Sequence, residues 1–208
     1  IGPGGKGSNQ AIAAARLGSK VNFVGKIGDD ANGKMAIDLF RKNNIDQKTV
    51  FISKEHPTGV AGLMINKEDG TNAIIVCPGA SMEITKKEID IFSNLITSCK
   101  VFLTQLEIKI DVTLHALKLA KKGKAITILN PAPALKIEDE FFNYIDFFTP
   151  NEIEAEFYFG KKIENYDDAK LAGKFFLDKG VKNSIITLGD KGAYFSNKET
   201  SFSLPALA

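Results

Sequence analysis

Short apolar runs alternate with longer amphipathic stretches along almost all of this 208-residue chain, and that rhythm leaves few architectures open. Strands that alternate with helices build parallel sheets covered by helices, because a parallel neighbour can be reached only through a crossover. The spacing predicts a helix over residues 8–17, with Ser8 as its N-cap and Gly18 as its stop. A strand over 21–27, the turn Gly28, Asp29, Asp30 and a helix over 31–43 complete one βα unit. Farther along, the pattern predicts helices over 86–97, 111–122, 138–144 and 167–179. Strands are expected over 101–106, 125–129, 145–148, 184–188, 193–196 and 200–204.

Residues 58–78 depart from the rhythm. The alternating runs "TGVAGLMINK" and "NAIIVCP" flank the turn Glu68, Asp69, Gly70, Thr71, so a β-hairpin interrupts the α/β chain. Such a hairpin can leave the main sheet as a flap over a site, or join it as an antiparallel edge pair.

Composition narrows the partners. The chain has 44% apolar and 25% charged residues and a formal charge of +2 without any basic block, so nothing marks a nucleic-acid or anionic-membrane partner. No apolar run approaches the roughly 20 residues of a membrane helix. Cys77 and Cys99 lack metal-ligand spacing and read as reduced thiols of a cytoplasmic protein. His56 and His115 stand apart, with no companions at such spacing. The glycine motif already under way at Ile1 and the apolar run at Ala208 read as a single α/β domain cut at both ends.

That glycine motif, "IGPGGKGSNQ", puts Gly2, Gly4 and Gly7 in GxGxxG order. A dinucleotide cradle also needs an acid at the tip of the next strand. With "VNFVG" closing at Gly25, Asp29 falls four residues too late. A Walker A loop needs Ser or Thr after its Lys, and Lys6 precedes Gly7. What survives is backbone that a ligand can approach, a Lys6 donor and the Asn9 amide at a helix start, a set suited to a polyhydroxylated ligand. A plain tight turn under an Ala-rich helix fits equally.

Other strand ends carry further candidates. Glu107 closes "VFLTQL", where it can accept hydroxyl hydrogen bonds or simply meet solvent. "TPNEIE" gives Asn151 and Glu154 capping-box spacing, and the same geometry can serve phosphate or metal-bound water. "ITLGDKG" leaves Thr187 and the peptides of Gly189 to Gly192 at the sheet's edge, as a nucleotide pocket or an ordinary hairpin. "NPAPA" supplies a stiff loop at another strand end.

Singly these motifs are weak, but their order is specific. "GGKGSNQA", "GDDANG", "TGVAGLMI", "TQLE", "LNPAPA", "TPNEIEAE" and "ITLGDKG" run in the order and spacing that resembles the ribokinase-like family of carbohydrate kinases, over essentially the whole chain. The resemblance implies a three-layer α/β/α fold with a mainly parallel central sheet. A small β lid would include 58–78 and mediate a homodimer. The implied reaction moves the γ-phosphoryl group of ATP to the 5-hydroxyl of ribose, with Mg²⁺ and a monovalent cation such as K⁺. By position, Gly5, Lys6, Gly7, Asn9 and Glu107 would hold the sugar, with Glu107 on the wall opposite the glycines. Asn151, Thr187, Gly189, Asp190, Lys191 and Gly192 would hold the nucleotide, and Glu154 would organise Mg²⁺ through water. The family's catalytic Asp, in a Gly-Ala-Gly-Asp stretch, is expected beyond Ala208, and another sugar-binding Asp before Ile1. Deoxyribose, fructose or a nucleoside could replace ribose as acceptor. A non-catalytic sugar or nucleotide binder and an NAD-dependent oxidoreductase are the competing classes.

Overall fold

The computed structural model describes residues 2–68 and 70–206, and the chain divides into two compact units. The first comprises residues 1–89 and 107–109. Its helix α1 (Lys6–Arg16) is followed by β1 (Gly25–Gly28), α2 (Ala31–Lys42) and β2 (Val50–Ser53). β1 and β2 pair in parallel, and "VFIS" in β2 is a strand too short for the periodicity to reveal. Ile12, Phe40 and Ile45 form a small core, with Phe23 tilted against Phe40 at 4.7 Å between ring centroids.

The hairpin forms as expected. β3 (Thr58–Ile65) and β4 (Asn72–Gly79) pair antiparallel as a separate two-stranded sheet, so the edge-strand alternative falls among the described residues. Asn66 shapes its turn, accepting from the N–H of Glu68 through the side chain and from the N–H of Gly70 through the carbonyl. Asp69 of the expected turn lies outside the described residues. A turn of 3₁₀ helix, Ala80–Glu83, and α3 (Lys86–Ile91) follow.

The second unit comprises residues 90–106 and 110–208 and holds the main sheet. Its elements are α4 (Ser93–Ser98), β5 (Val101–Thr104), α5 (Ile110–Lys122), β6 (Ile126–Leu129), β7 (Phe147–Phe148), α6 (Glu152–Phe159), α7 (Tyr166–Asp178), β8 (Asn183–Thr187), β9 (Ala193–Asn197) and β10 (Ser201–Leu204). The strands lie in the order β10-β9-β8-β7-β6-β5. β5 to β8 are mutually parallel, and β9 and β10 continue the sheet antiparallel. The βα rhythm thus predicted a mainly parallel sheet correctly.

Burial drives this unit. α5 buries Val112, Thr113, Ala116, Leu117 and Ala120, the stripe of a helix with one face on a sheet. Phe148 is fully buried with Phe142, Tyr158 and Phe176 at 5.6, 5.6 and 4.8 Å between centroids. Each large side chain so buried contributes about 1.5–3 kcal/mol. Asp146, only 8% exposed, accepts from Lys121, Lys182 and both the N–H and hydroxyl of Thr127. Burial alone would raise its pKa, but the bonds from Lys121, Lys182 and Thr127 outweigh it and hold the carboxyl at about 2.

Two expectations need correction. The helix expected over 86–97 is broken at Phe92, with α3 before it and α4 after it. The one expected over 138–144 is a 3₁₀ helix, Asp139–Tyr144, which buries Phe141 and Phe142 together.

Candidate functional site

In the first unit the glycine motif and Glu107 meet. Gly5 precedes α1 as its N-cap with φ at +99°, a conformation that favours glycine. The Lys6 N–H donates to Glu107 Oε2 at 3.0 Å, and the Lys6 ammonium donates to Oε1 at 2.8 Å. A carboxylate from 101 residues away therefore satisfies the positive end of α1. This overturns the expectation for Ser8, which is no N-cap: its hydroxyl turns back to the carbonyl of Gly4 at 2.7 Å. It also corrects the placing of Glu107. β5 ends at Thr104, so Glu107 stands in the following loop, and it is paired with Lys6 instead of facing it from an opposite wall. Gly7 and Asn9 lie in the first turns of α1; the Asn9 side chain is exposed.

β1 runs to Gly28 and not to Gly25, so Asp29 follows a strand directly and its distance from the strand end does not exclude a dinucleotide cradle. The Glu107 carboxylate supplies the better objection, because it occupies the helix N-terminus where a pyrophosphate would bind and would repel it. A Cβ on Gly2 or Gly4 would meet nothing within 4 Å.

The second unit gathers the other candidates. Asn151 Oδ1 accepts from the N–H of Glu154 at 2.7 Å, and Glu154 Oε2 accepts from the N–H of Asn151 at 2.9 Å. This is a complete capping box at the start of α6. Thr187, at the end of β8, donates its N–H to Pro150 and forms a parallel bridge with Asn151, so two candidates 36 positions apart become neighbours. β8 is an interior strand, so this cluster lies at a strand's carboxyl end and not, as expected, at the sheet's edge.

Gly189, Asp190 and Lys191 form one 3₁₀ turn that leads to Gly192. Gly189 has φ at +55° and Gly192 at +101°, and a Cβ on Gly192 would fall 2.0 Å from the Leu204 carbonyl. The turn is pinned by the Lys191 ammonium on the Glu164 carbonyl at 2.6 Å and by the Tyr166 hydroxyl on the Lys191 carbonyl. Lys191 is thus held by the fold although it is exposed, as Asp190 is. The "NPAPA" loop is anchored by Asn130, whose amide donates to the Thr149 carbonyl at 3.0 Å.

Outside these clusters, Cys77 and Cys99 are free thiols and His115 bonds Asp90 at 2.6 Å. The sequence also carried an unused signal at Asp30, an acid at a helix start. In the structure it caps α2 and reaches the hairpin root.

Over residues 1–208 the sequence matches the family described as pfkB family carbohydrate kinase. The chain belongs to that family. Among its relatives, the ribokinase of Staphylococcus aureus (strain COL) is 37% identical over 198 residues, covering 95% of this chain and 65% of that one. The deoxyribokinase of Salmonella typhi is 35% identical over 209 residues, covering 99% and 67%. The structure of Arabidopsis thaliana ribokinase complexed with ribose and ATP superposes with a TM-score of 0.86 at 28% identity, over 97% of this chain and 66% of that one. This chain therefore spans about two thirds of the length of each of these relatives, and its fold is the ribokinase-like α/β fold. Among the described residues no helix is long and apolar enough to cross a membrane.

Proposed function

We propose that the whole protein phosphorylates ribose at its 5-hydroxyl, with ATP as phosphoryl donor. The observation that carries this reading is the Lys6–Glu107 pair. It joins "GGKG" to "QLE" and puts an acceptor and donors side by side, as a molecule rich in hydroxyls requires. Both side chains are partly exposed, 38% for Lys6 and 28% for Glu107, so a sugar can exchange hydroxyl contacts for part of the ion pair. In this account Gly5, Gly7 and Asn9 complete the sugar's contacts.

Asn151, Thr187, Gly189, Asp190, Lys191 and Gly192 take the nucleotide, and Glu154 holds Mg²⁺ through water. When bound, the ion neutralises charge on the phosphates. Phosphoryl transfer asks mainly for positioning and charge stabilisation: the sugar oxygen bonds to the γ-phosphorus, the bond to the β-phosphate oxygen breaks, and a base takes the hydroxyl proton. The sequence contains no Gly-Ala-Gly-Asp, so the proposed base lies outside these 208 residues.

Deoxyribose is the second reading, favoured by the likeness to a deoxyribokinase. Assays of the full-length protein with ATP and ribose, deoxyribose, fructose or adenosine separate them. We expect ribose to give the highest kcat/KM; preference for any other acceptor refutes the ribose assignment. Leu63, Met64, Ile74 and Ile75 lie exposed on the hairpin, which supports a homodimer through the lid. Sedimentation of the full-length protein as a monomer at all concentrations would contradict that. The free thiols fit a cytoplasmic setting.

A further inference from the structure

We propose that Asp30 is a positioning residue for the sugar site, clasping the root of the hairpin that is tied in turn to the Glu107 loop. The inference rests on the reading of Lys6 and Glu107 as sugar contacts. Asp30 does more than cap α2. Its Oδ1 accepts from the N–H of Gly33 at 2.8 Å and from the Thr58 hydroxyl at 2.8 Å, and its Oδ2 accepts from the N–H of Thr58 at 2.7 Å. The Thr58 oxygen accepts in turn from the N–H of Gly28 at 2.9 Å. A simple N-cap needs only the bond to Gly33. The bonds to Thr58, 28 residues away, fix the first residue of β3 to the β1–α2 turn. The N–H groups of Gly33 and Thr58 also hold the Asp30 carboxyl below its usual range, keeping it a charged acceptor.

Backbone closeness around the clasp leaves the root no slack. A Cβ on Gly28 would fall 2.5 Å from the Thr58 nitrogen, and one on Gly33 would fall 2.2 Å from the Gly28 carbonyl oxygen. Thr58 pairs with Gly79 across the hairpin, and a Cβ there would fall 2.3 Å from the Pro57 carbonyl oxygen. The connection then continues toward the sugar site. The Pro57 carbonyl accepts from the N–H of Ala80 at 2.8 Å, and the Ser81 hydroxyl lies 2.8 Å from the Pro78 carbonyl and 3.5 Å from that of Glu107. Glu107 holds Lys6. Asp30 therefore stands at one end of a hydrogen-bonded series within a single compact unit, with the Lys6–Glu107 pair at the other.

Asp30→Ser separates the clasp from the cap. Serine caps a helix about as well as aspartate, but its single short oxygen cannot also hold Thr58. In the full-length protein we expect Asp30→Ser to lower the melting temperature by only a few degrees while amide exchange quickens about tenfold at 58–60, 79–81 and 107–109. The KM for ribose should rise about tenfold with the KM for ATP within about twofold. Thr58→Val should act in the same direction, less strongly. Asp30→Asn supplies a second test, because its amide NH₂ faces a Thr58 donor and should likewise loosen the root. Unchanged exchange at 107–109 in both Asp30 variants overturns the inference, as does an unchanged ribose KM in a protein that phosphorylates ribose. If wild type turns over no sugar, the kinase reading falls. The exchange at 107–109 then decides by itself whether the clasp reaches the loop.

Discussion

Glu107 and Glu154 both accept from a backbone N–H at the start of a helix, yet they stand in opposite relations to the sequence. Glu154 is bonded within its own turn to Asn151, three residues away, and its partner can be read from the string "NEIE". Glu107 is bonded to the first turn of a helix 101 residues earlier, and no local spacing announces it. The difference teaches that a carboxylate with a local partner can be explained without a ligand. One brought from afar to a glycine turn and a lysine needs the fold, and a reason for it. Asp146 gives a third point of comparison, being nearly buried with its carboxylate paired to two lysines.

The comparison breaks if Asp146 behaves like the site carboxylates. Asp146→Asn leaves the partly buried Lys121 without its counter-charge and should destabilise the second unit by about 2 kcal/mol, read from urea unfolding. Because the folded carboxyl titrates at about 2 against an ordinary 3.8, its contribution is present above about pH 4 and fades as pH falls toward 2. Wild type should therefore lose about 2 kcal/mol over that window that Asp146→Asn does not lose. Equal acid sensitivity of the two proteins would show that Asp146 is not the group responsible.

Glu154 sharpens the comparison on a smaller scale. Glu154→Ala removes half of the capping box and should cost about 1 kcal/mol of stability. Glu154→Gln retains the box, since glutamine also accepts from the Asn151 N–H, and should stay within about 0.5 kcal/mol of wild type. If Glu154 also organises Mg²⁺ through water, the Gln variant still needs several-fold more Mg²⁺ for half-maximal activity. Identical Mg²⁺ dependence would leave Glu154 a cap and nothing more. The smallest effect belongs to Ser8→Ala, at about 0.5 kcal/mol or less, because the hydroxyl caps no amide. A loss of 1 kcal/mol or more would restore Ser8 as a capping residue.

The fold was legible wherever burial set a period. α5, α7 and the strands of the main sheet fall within a few residues of their expected places, because each must hide one face. Boundaries set by few residues were not legible. β1 begins at Gly25, where the apolar run appeared to end, and β7 spans only Phe147 and Phe148. The hairpin was readable from its alternation even though both strands are largely exposed. Of the candidate site, the Asn151–Glu154 box was readable from spacing. The Lys6–Glu107 pair, the Asn151–Thr187 bridge and the Asp30–Thr58 clasp were not, since each joins residues that only the folded backbone brings together.

The central claim is that Glu107 belongs to the sugar and the Asn151–Thr187 cluster to the nucleotide. Calorimetric titration of ribose and of ATP into full-length wild type and Glu107→Gln tests it most directly. The account predicts ribose binding weakened about 10- to 100-fold, the loss of a charge-assisted hydrogen bond, with ATP binding changed by less than about twofold. Undiminished ribose binding, or an equal loss for both ligands, would contradict it.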